Sequence, residues 1–120
     1  MLLNWQLWFI TEPPNAPTNL HASSVTTSSA TLAWDQPSKE AGSDVGQYYI
    51  EMNEPPKADY VLIGKIDGRV NSYTVEFLQK GRLYRFRVKA KNAAGFSEAA
   101  ELENPIEVKE IIGRFQSLNY

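Results

Sequence analysis

Apolar and polar residues alternate along this chain in a series of short runs. A period of two is the mark of strands with one face in a core and the other in water. The clearest run lies between Gly81 and Gly95, where Tyr84, Phe86, Val88 and Ala90 interleave with Arg85, Arg87, Lys89 and Lys91. It predicts a strand that starts after the Gly81 turn, is apolar on one face and basic on the other, and ends in a loop at Asn92–Gly95. Other runs predict strands over 18–25 with Leu20 facing inward, over 29–35 with Ala30, Leu32 and Trp34 on one face, and over 46–53 with Tyr48, Ile50 and Met52 inward. Further strands are expected over 60–66, over 72–77 with Tyr73 and Val75 sharing a face, and over 106–111, where Ile106 and Val108 alternate with Glu107 and Lys109. The polar, glycine-bearing stretch 37–44 reads as a loop, and Glu54–Ala58 and Asp67–Gly68 read as turns. Short strands at regular spacing, with no helix-length periodicity among them, predict an all-β sandwich of seven strands. Its core would hold Leu20, Leu32, Trp34, Tyr48, Ile50, Val75, Leu78, Tyr84, Phe86 and Val88.

The ends of the chain differ from this pattern. Residues 1–10 crowd Leu2, Leu3, Trp5, Leu7, Trp8, Phe9 and Ile10 into an apolar arm. The arm is too short to cross a bilayer, which takes about 20 apolar residues, and it lacks the basic start and small-residue cleavage site of a signal peptide. It reads as a linker or neighbouring element, with packing on the sandwich or on a partner as the alternative. The proline-rich stretch Glu12–Pro17 marks a boundary leading into an edge strand. At the other end Gly113 interrupts Ile111, Ile112, Phe115 and Leu118, so an extended linker is expected there. The expected organisation is therefore an arm or linker over 1–13, one domain over 14–110 and a linker over 111–120. A chain of 120 residues suits a single domain.

Composition narrows the function. A net charge of −2 argues against a general nucleic-acid or membrane-surface binder. Without cysteine there is neither a disulfide nor a thiolate metal site, which leaves the compartment open. No Asn-x-Ser/Thr acceptor occurs, and this leans toward an intracellular setting. Catalytic chemistry finds no foothold, so no catalytic, cofactor-binding or metal residues are expected. The one histidine, His21, sits on an expected edge strand and reads as a surface residue. The carboxylates are scattered, with no proton-sharing pair, phosphate-cradling glycine loop or metal-ligand spacing.

Two features remain as candidate partner contacts. The basic stripe Arg85, Arg87, Lys89 and Lys91 reads first as a solvated face paired across strands with acids such as Glu51, and second as a docking surface for an acidic partner. Phe96, expected near a loop tip, reads either as folded back onto the domain or as a binding anchor. Asp67-Gly-Arg69 reads as a turn only, and the hydroxyl-rich run 23–29 as a loop and strand start.

The stretch from Leu78 to Gly95 also resembles strand F of a fibronectin type III domain. Leu78, Tyr84, Phe86, Val88, Ala90, Asn92 and Gly95 fit that family's pattern, as do Pro17–Leu20, Leu32-x-Trp34 and Tyr48-x-Ile50. The resemblance covers roughly 14–110. Ser97-Glu-Ala-Ala100 and Tyr60 depart from it, at positions where the family often carries Ser-x-Pro-Ser and a strand tryptophan. It implies an immunoglobulin-like sandwich of fibronectin type III topology and a tyrosine corner, in which Tyr84 is buried with its hydroxyl bonded to backbone a few residues upstream. The runs 86–95 and 105–111 are similar to modules of sarcomeric giant proteins, titin and myosin-binding proteins among them. That likeness implies a non-catalytic, cytoplasmic, monomeric module whose partner is a filament protein such as myosin, or neighbouring modules. The alternative it leaves is an extracellular spacer or ligand-binding module of a cell-surface receptor or adhesion protein.

Overall fold

The computed structural model describes residues 12–38 and 44–109, and the statements below concern those residues. The apolar arm 1–10, the centre of the 37–44 loop and the tail beyond 109 lie outside them.

Two antiparallel sheets face each other. One contains β1 (Thr18–Val25), β2 (Ala30–Asp35) and β5 (Ser72–Val75), in the order β1-β2-β5. The other is built on β4 (Val61–Asp67), β3 (Gln47–Asn53) and β6 (Leu83–Asn92), side by side in that order. Three two-residue strands, β7 (Gly95–Phe96), β8 (Ala100–Glu101) and β9 (Ile106–Glu107), all pair with the free side of β6.

The inward rows of both sheets make one core. Ala30, Leu32 and Trp34 come from β2, Tyr48 and Ile50 from β3, and Tyr84, Phe86, Val88 and Ala90 from β6, closed by Val75, Leu78 and Val108. Leu20 and Met52, expected inside, are only partly buried and pack against its margin. Trp34 meets Tyr48 edge-to-face at 5.1 Å between ring centroids. Full burial of a side chain such as Phe86 or Val88 contributes about 1.5–3 kcal/mol each. The Tyr48 hydroxyl and the Trp34 indole N–H are buried without a hydrogen-bond partner. Burial raises the Tyr48 pKa, and the nearby Trp34 N–H opposes that shift in part without reaching hydrogen-bond geometry.

The last strand differs from the expectation. In place of one strand over 106–111, the segment 95–108 runs along β6 as three short pairings. Phe96 lies opposite Lys91, Ala100 opposite Val88, and Ile106 opposite Tyr84. The register slips between these contacts, so each gap holds extra residues in the manner of a bulge. Ser97 fills the first gap: its N–H donates to the Ala90 carbonyl at 2.8 Å, and its Oγ accepts from the Ala90 N–H at 2.9 Å. Pro105, with no N–H to give a ladder, lies in the second.

Close backbone approach fixes one glycine. A Cβ on Gly68 would lie 2.0 Å from the Val45 carbonyl oxygen and 2.6 Å from its carbon, atoms that cannot swing aside. Gly68→Ala is expected to destabilise by about 3 kcal/mol through this overlap. Gly81, at φ +88 with nothing within 4 Å of an added Cβ, should cost only about 1 kcal/mol on the same change, through backbone conformation alone. Urea unfolding of the two variants checks the order, and equal costs would contradict the steric account.

Candidate functional site

Alternation along β6 delivers two surfaces from one strand. Its inward residues belong to the core, while Arg85, Arg87, Lys89 and Lys91 stand on the outer face of the β4-β3-β6 sheet. The strand is held at its start by Tyr84, which is 4% exposed and whose hydroxyl accepts the Gln79 backbone N–H at 3.0 Å. Leu78 is buried just upstream, and its N–H donates to the Ser28 carbonyl in the β1–β2 turn at 2.9 Å. Phe77, immediately before Leu78, is 95% exposed at φ 63, a left-handed conformation that bulky residues adopt only under strain.

The outer face divides into two halves. In the first, carboxylates answer the Arg87 guanidinium. Arg87 Nε lies 2.5 Å from Glu51 Oε1, stands opposite Glu101 in register, and places its guanidinium 4.0 Å from the centre of the Tyr60 ring. The Tyr60 pKa is raised, first by burial and then by the Glu101 charge, with Arg87 and Arg85 pulling the other way. Arg85, the exposed member of this half, pairs in register with Asn53. The expected pairing of the stripe with Glu51 is present here.

In the second half, aromatic rings replace carboxylates. Phe96 is not at a loop tip. Ala93 and Ala94 make the turn, held by the Asn92 side-chain oxygen accepting the Ala94 N–H at 2.8 Å, and Gly95 follows at φ +141. Phe96 therefore sits in β7 opposite Lys91, with its ring edge-to-face on Tyr49 at 4.8 Å. Lys89 and Lys91 each place Nζ 5.7 Å from the Phe96 ring centre, and Lys65 lies 5.1 Å from that of Tyr49. Lys89 also reaches Glu51 at 3.6 Å, a long and partly shared contact. Phe96 keeps 46% of its surface exposed. Tyr49, Lys65, Tyr60 and Glu101 were missing from the sequence-based site. The outward phase of Tyr49, between Tyr48 and Ile50, was the available signal, but only the β3–β6 register places it beside Lys89.

Other features carry less chemistry. His21 is exposed on β1, its Nδ1 2.8 Å from the Asn19 carbonyl oxygen. Asp67 accepts the Arg69 backbone N–H and its guanidinium, and these bonds hold its carboxyl down at about 2. Both side chains face solvent, so this is a clamp within the Asp67–Arg69 turn. A cleft of about 500 Å³ opens between the edges of β4 and β5, floored by Met52, Ile63, Tyr73 and Leu78. Its rim charges Glu54 and Arg82 pair with each other at 2.7 Å. Among the described residues no group of three or more His, Asp or Glu could hold a metal ion, and no helix is long and apolar enough to cross a membrane.

A family model for the fibronectin type III domain matches residues 15–106. The chain belongs to the fibronectin type III family. Within it, the chain is 33% identical over 97 residues to myosin-binding protein H of Gallus gallus, a match covering 81% of this chain and 18% of that protein. It is 30% identical over 98 residues to roundabout homolog 3 of Homo sapiens, covering 82% of this chain and 7% of that protein. A crystal structure of several titin domains superimposes with a TM-score of 0.72 at 31% identity, covering 81% of this chain and 32% of that one. The chain thus spans less than a quarter of either named relative. Its fibronectin type III relatives include the sarcomeric proteins titin, myosin-binding protein H and myomesin.

The Tyr84 hydrogen bond is buried and local, so its loss should register in stability. Tyr84→Phe is expected to cost about 1 kcal/mol or more, because it leaves the Gln79 N–H without its acceptor. Chemical denaturation reads this directly, and an unchanged midpoint would show that the corner does not hold the strand.

Proposed function

We propose that the chain is a non-catalytic structural and protein-binding module of a multidomain, muscle filament-associated protein. It works in the cytoplasm of the sarcomere as a monomeric unit in a string of modules. Its partner is a filament protein such as myosin, or the neighbouring modules. The observation that carries this reading is the likeness to myosin-binding protein H over nearly the whole domain.

The geometry suits such a role. Asn92, at the β6–β7 turn, donates its side-chain N–H to the Glu12 carbonyl at 3.0 Å, which places the start of the domain at that end. The last described residues lie at the opposite end, where Val108 exchanges backbone hydrogen bonds with Gly81 and Arg82. The 10 residues of β6 separate these ends, a span of about 30 Å at the usual strand rise. A chain that enters at one end and leaves at the other adds length to a rod without folding back. Partner contacts then fall on the sides, where Arg85, Arg87, Lys89, Lys91 and Phe96 are displayed.

A second reading, an extracellular module of a cell-surface receptor or adhesion protein, draws on the likeness to roundabout homolog 3. Sedimentation with purified myosin filaments separates the two. Saturable pelleting of the 120-residue chain with filaments is the expected result. Failure to pellet at any filament concentration would remove the myosin assignment.

A further inference from the structure

We propose that the Tyr49–Phe96 aromatic pair, together with the ammonium groups of Lys65, Lys89 and Lys91, is a docking site for an extended acidic segment of a partner protein. The proposal rests on the protein-binding reading above and specifies the chemistry of what binds.

The site occupies the half of the outer face where aromatic rings stand beside the cations. Arg87 is paired with Glu51 and faces Glu101. Of the three lysines only Lys89 reaches Glu51, at 3.6 Å, and that carboxylate is already bound to Arg87. In place of counter-charges they have rings. An ammonium within about 6 Å of a ring centre is attracted to its face, which limits the freedom of the lysine stem while leaving the charged head in water. The cations are thus partly ordered before any partner arrives, and ordering side chains is one of the main costs of association.

Register sets the spacing. Lys65, Tyr49 and Lys89 lie directly across three neighbouring strands, so the two lysine columns stand roughly 10 Å apart. Lys91 follows two residues after Lys89 on the same face, about 7 Å along the strand. An extended peptide presents alternate side chains on one face at that same repeat. Carboxylates at every second position along β6 meet Lys89 and Lys91 in turn, and an apolar or long-stemmed side chain covers the exposed part of Phe96. Lys65, across Tyr49, receives a further carboxylate from the far side of the segment.

The charge of the whole chain separates this partner from a nucleic acid. The net charge is −2, so the cations of this face are offset elsewhere on the molecule. A polyanion with a charge at every step needs a cationic track along its length. A short acidic segment with an apolar side chain needs only three cations and a ring.

The test is fluorescence anisotropy of a labelled peptide of about nine residues that alternates glutamate with leucine, titrated with the 120-residue chain at low salt. Binding should weaken as sodium chloride is raised, since exposed charge pairs are screened. Combining Lys65→Ala, Lys89→Ala and Lys91→Ala should weaken it about eightfold or more, from losses of about two- to fivefold per lysine. Phe96→Ala should weaken it several-fold, and Lys80→Ala, which removes an exposed cation in the turn before β6, should leave it unchanged. Replacing glutamate with glutamine in the peptide should abolish binding. The site would be overturned by salt-independent binding, by equal affinity for the glutamine peptide, by an unaffected triple variant, or by an equal loss in Lys80→Ala. An equally tight complex with single-stranded DNA of matched length would overturn the choice of a protein segment. Should the triple variant not fold, the salt and glutamine-peptide arms decide alone. Peptide binding without pelleting on myosin filaments would retain this site and remove the filament assignment, and the converse would remove this site alone.

Discussion

The pairing of β3 with β6 is the constraint on which the rest of the module depends. The register runs without a break from Gln47 opposite Lys91 to Asn53 opposite Arg85. It sets Ile50 beside Val88 and Tyr48 beside Ala90 on the core side, and Glu51 beside Arg87 on the water side. Because side chains alternate with a period of two, a slip of one residue would turn Phe86 and Val88 out to solvent and drive Arg87 and Lys89 into the core. Burying an unpaired charge costs far more than any surface pairing returns. The Tyr84 corner reinforces the same register from outside the ladder, by tying the first inward residue of β6 to the backbone of the preceding turn. On the far side of β6, β7, β8 and β9 follow its course with bulges and add pairing where they meet it.

How much of this was legible in the sequence depends on how the residues signal. β2, β3 and β6 were readable almost to the residue, because their inward rows are large and apolar and their outward rows are polar. The segment 95–108 was not. Ser97, Glu98, Ala99 and Ala100 have no alternation to read, and their pairing with β6 is carried by backbone groups and the Ser97 hydroxyl. Phe96 was misplaced for a related reason. The turn is only Ala93 and Ala94, so strand order resumes three residues after Asn92 rather than beyond the residues expected to form a loop. The strained, exposed Phe77 gave no warning either, since φ is a property of the folded turn and not of the residue.

The candidate site shows the same limit in another form. The basic row was visible in the sequence, and one of its partners, Glu51, could be named. What the sequence could not show is that the row is not uniform. Register brings Glu51 and Glu101 to Arg87, and Tyr49 and Phe96 to the lysines. In one half the Arg87 guanidinium is compensated by Glu51, and the other half carries aromatic surface under a cluster of ammonium groups. Individual surface ion pairs contribute at most about 1 kcal/mol, so the outer row does little for the fold and is free to serve recognition. Inner and outer rows of one strand thus divide stability from binding.

This division places the most persistent structure in the β3–β6 pair and not in the β1-β2-β5 sheet or along the β4 edge. Native-state hydrogen exchange across a urea series measures it directly. The account predicts that backbone amides of Ile50, Phe86 and Val88 exchange only through global unfolding, while amides of β1, β5 and the outer edge of β4 open at lower free energy. Slower exchange in β1 and β5 than in β3 and β6 would contradict it.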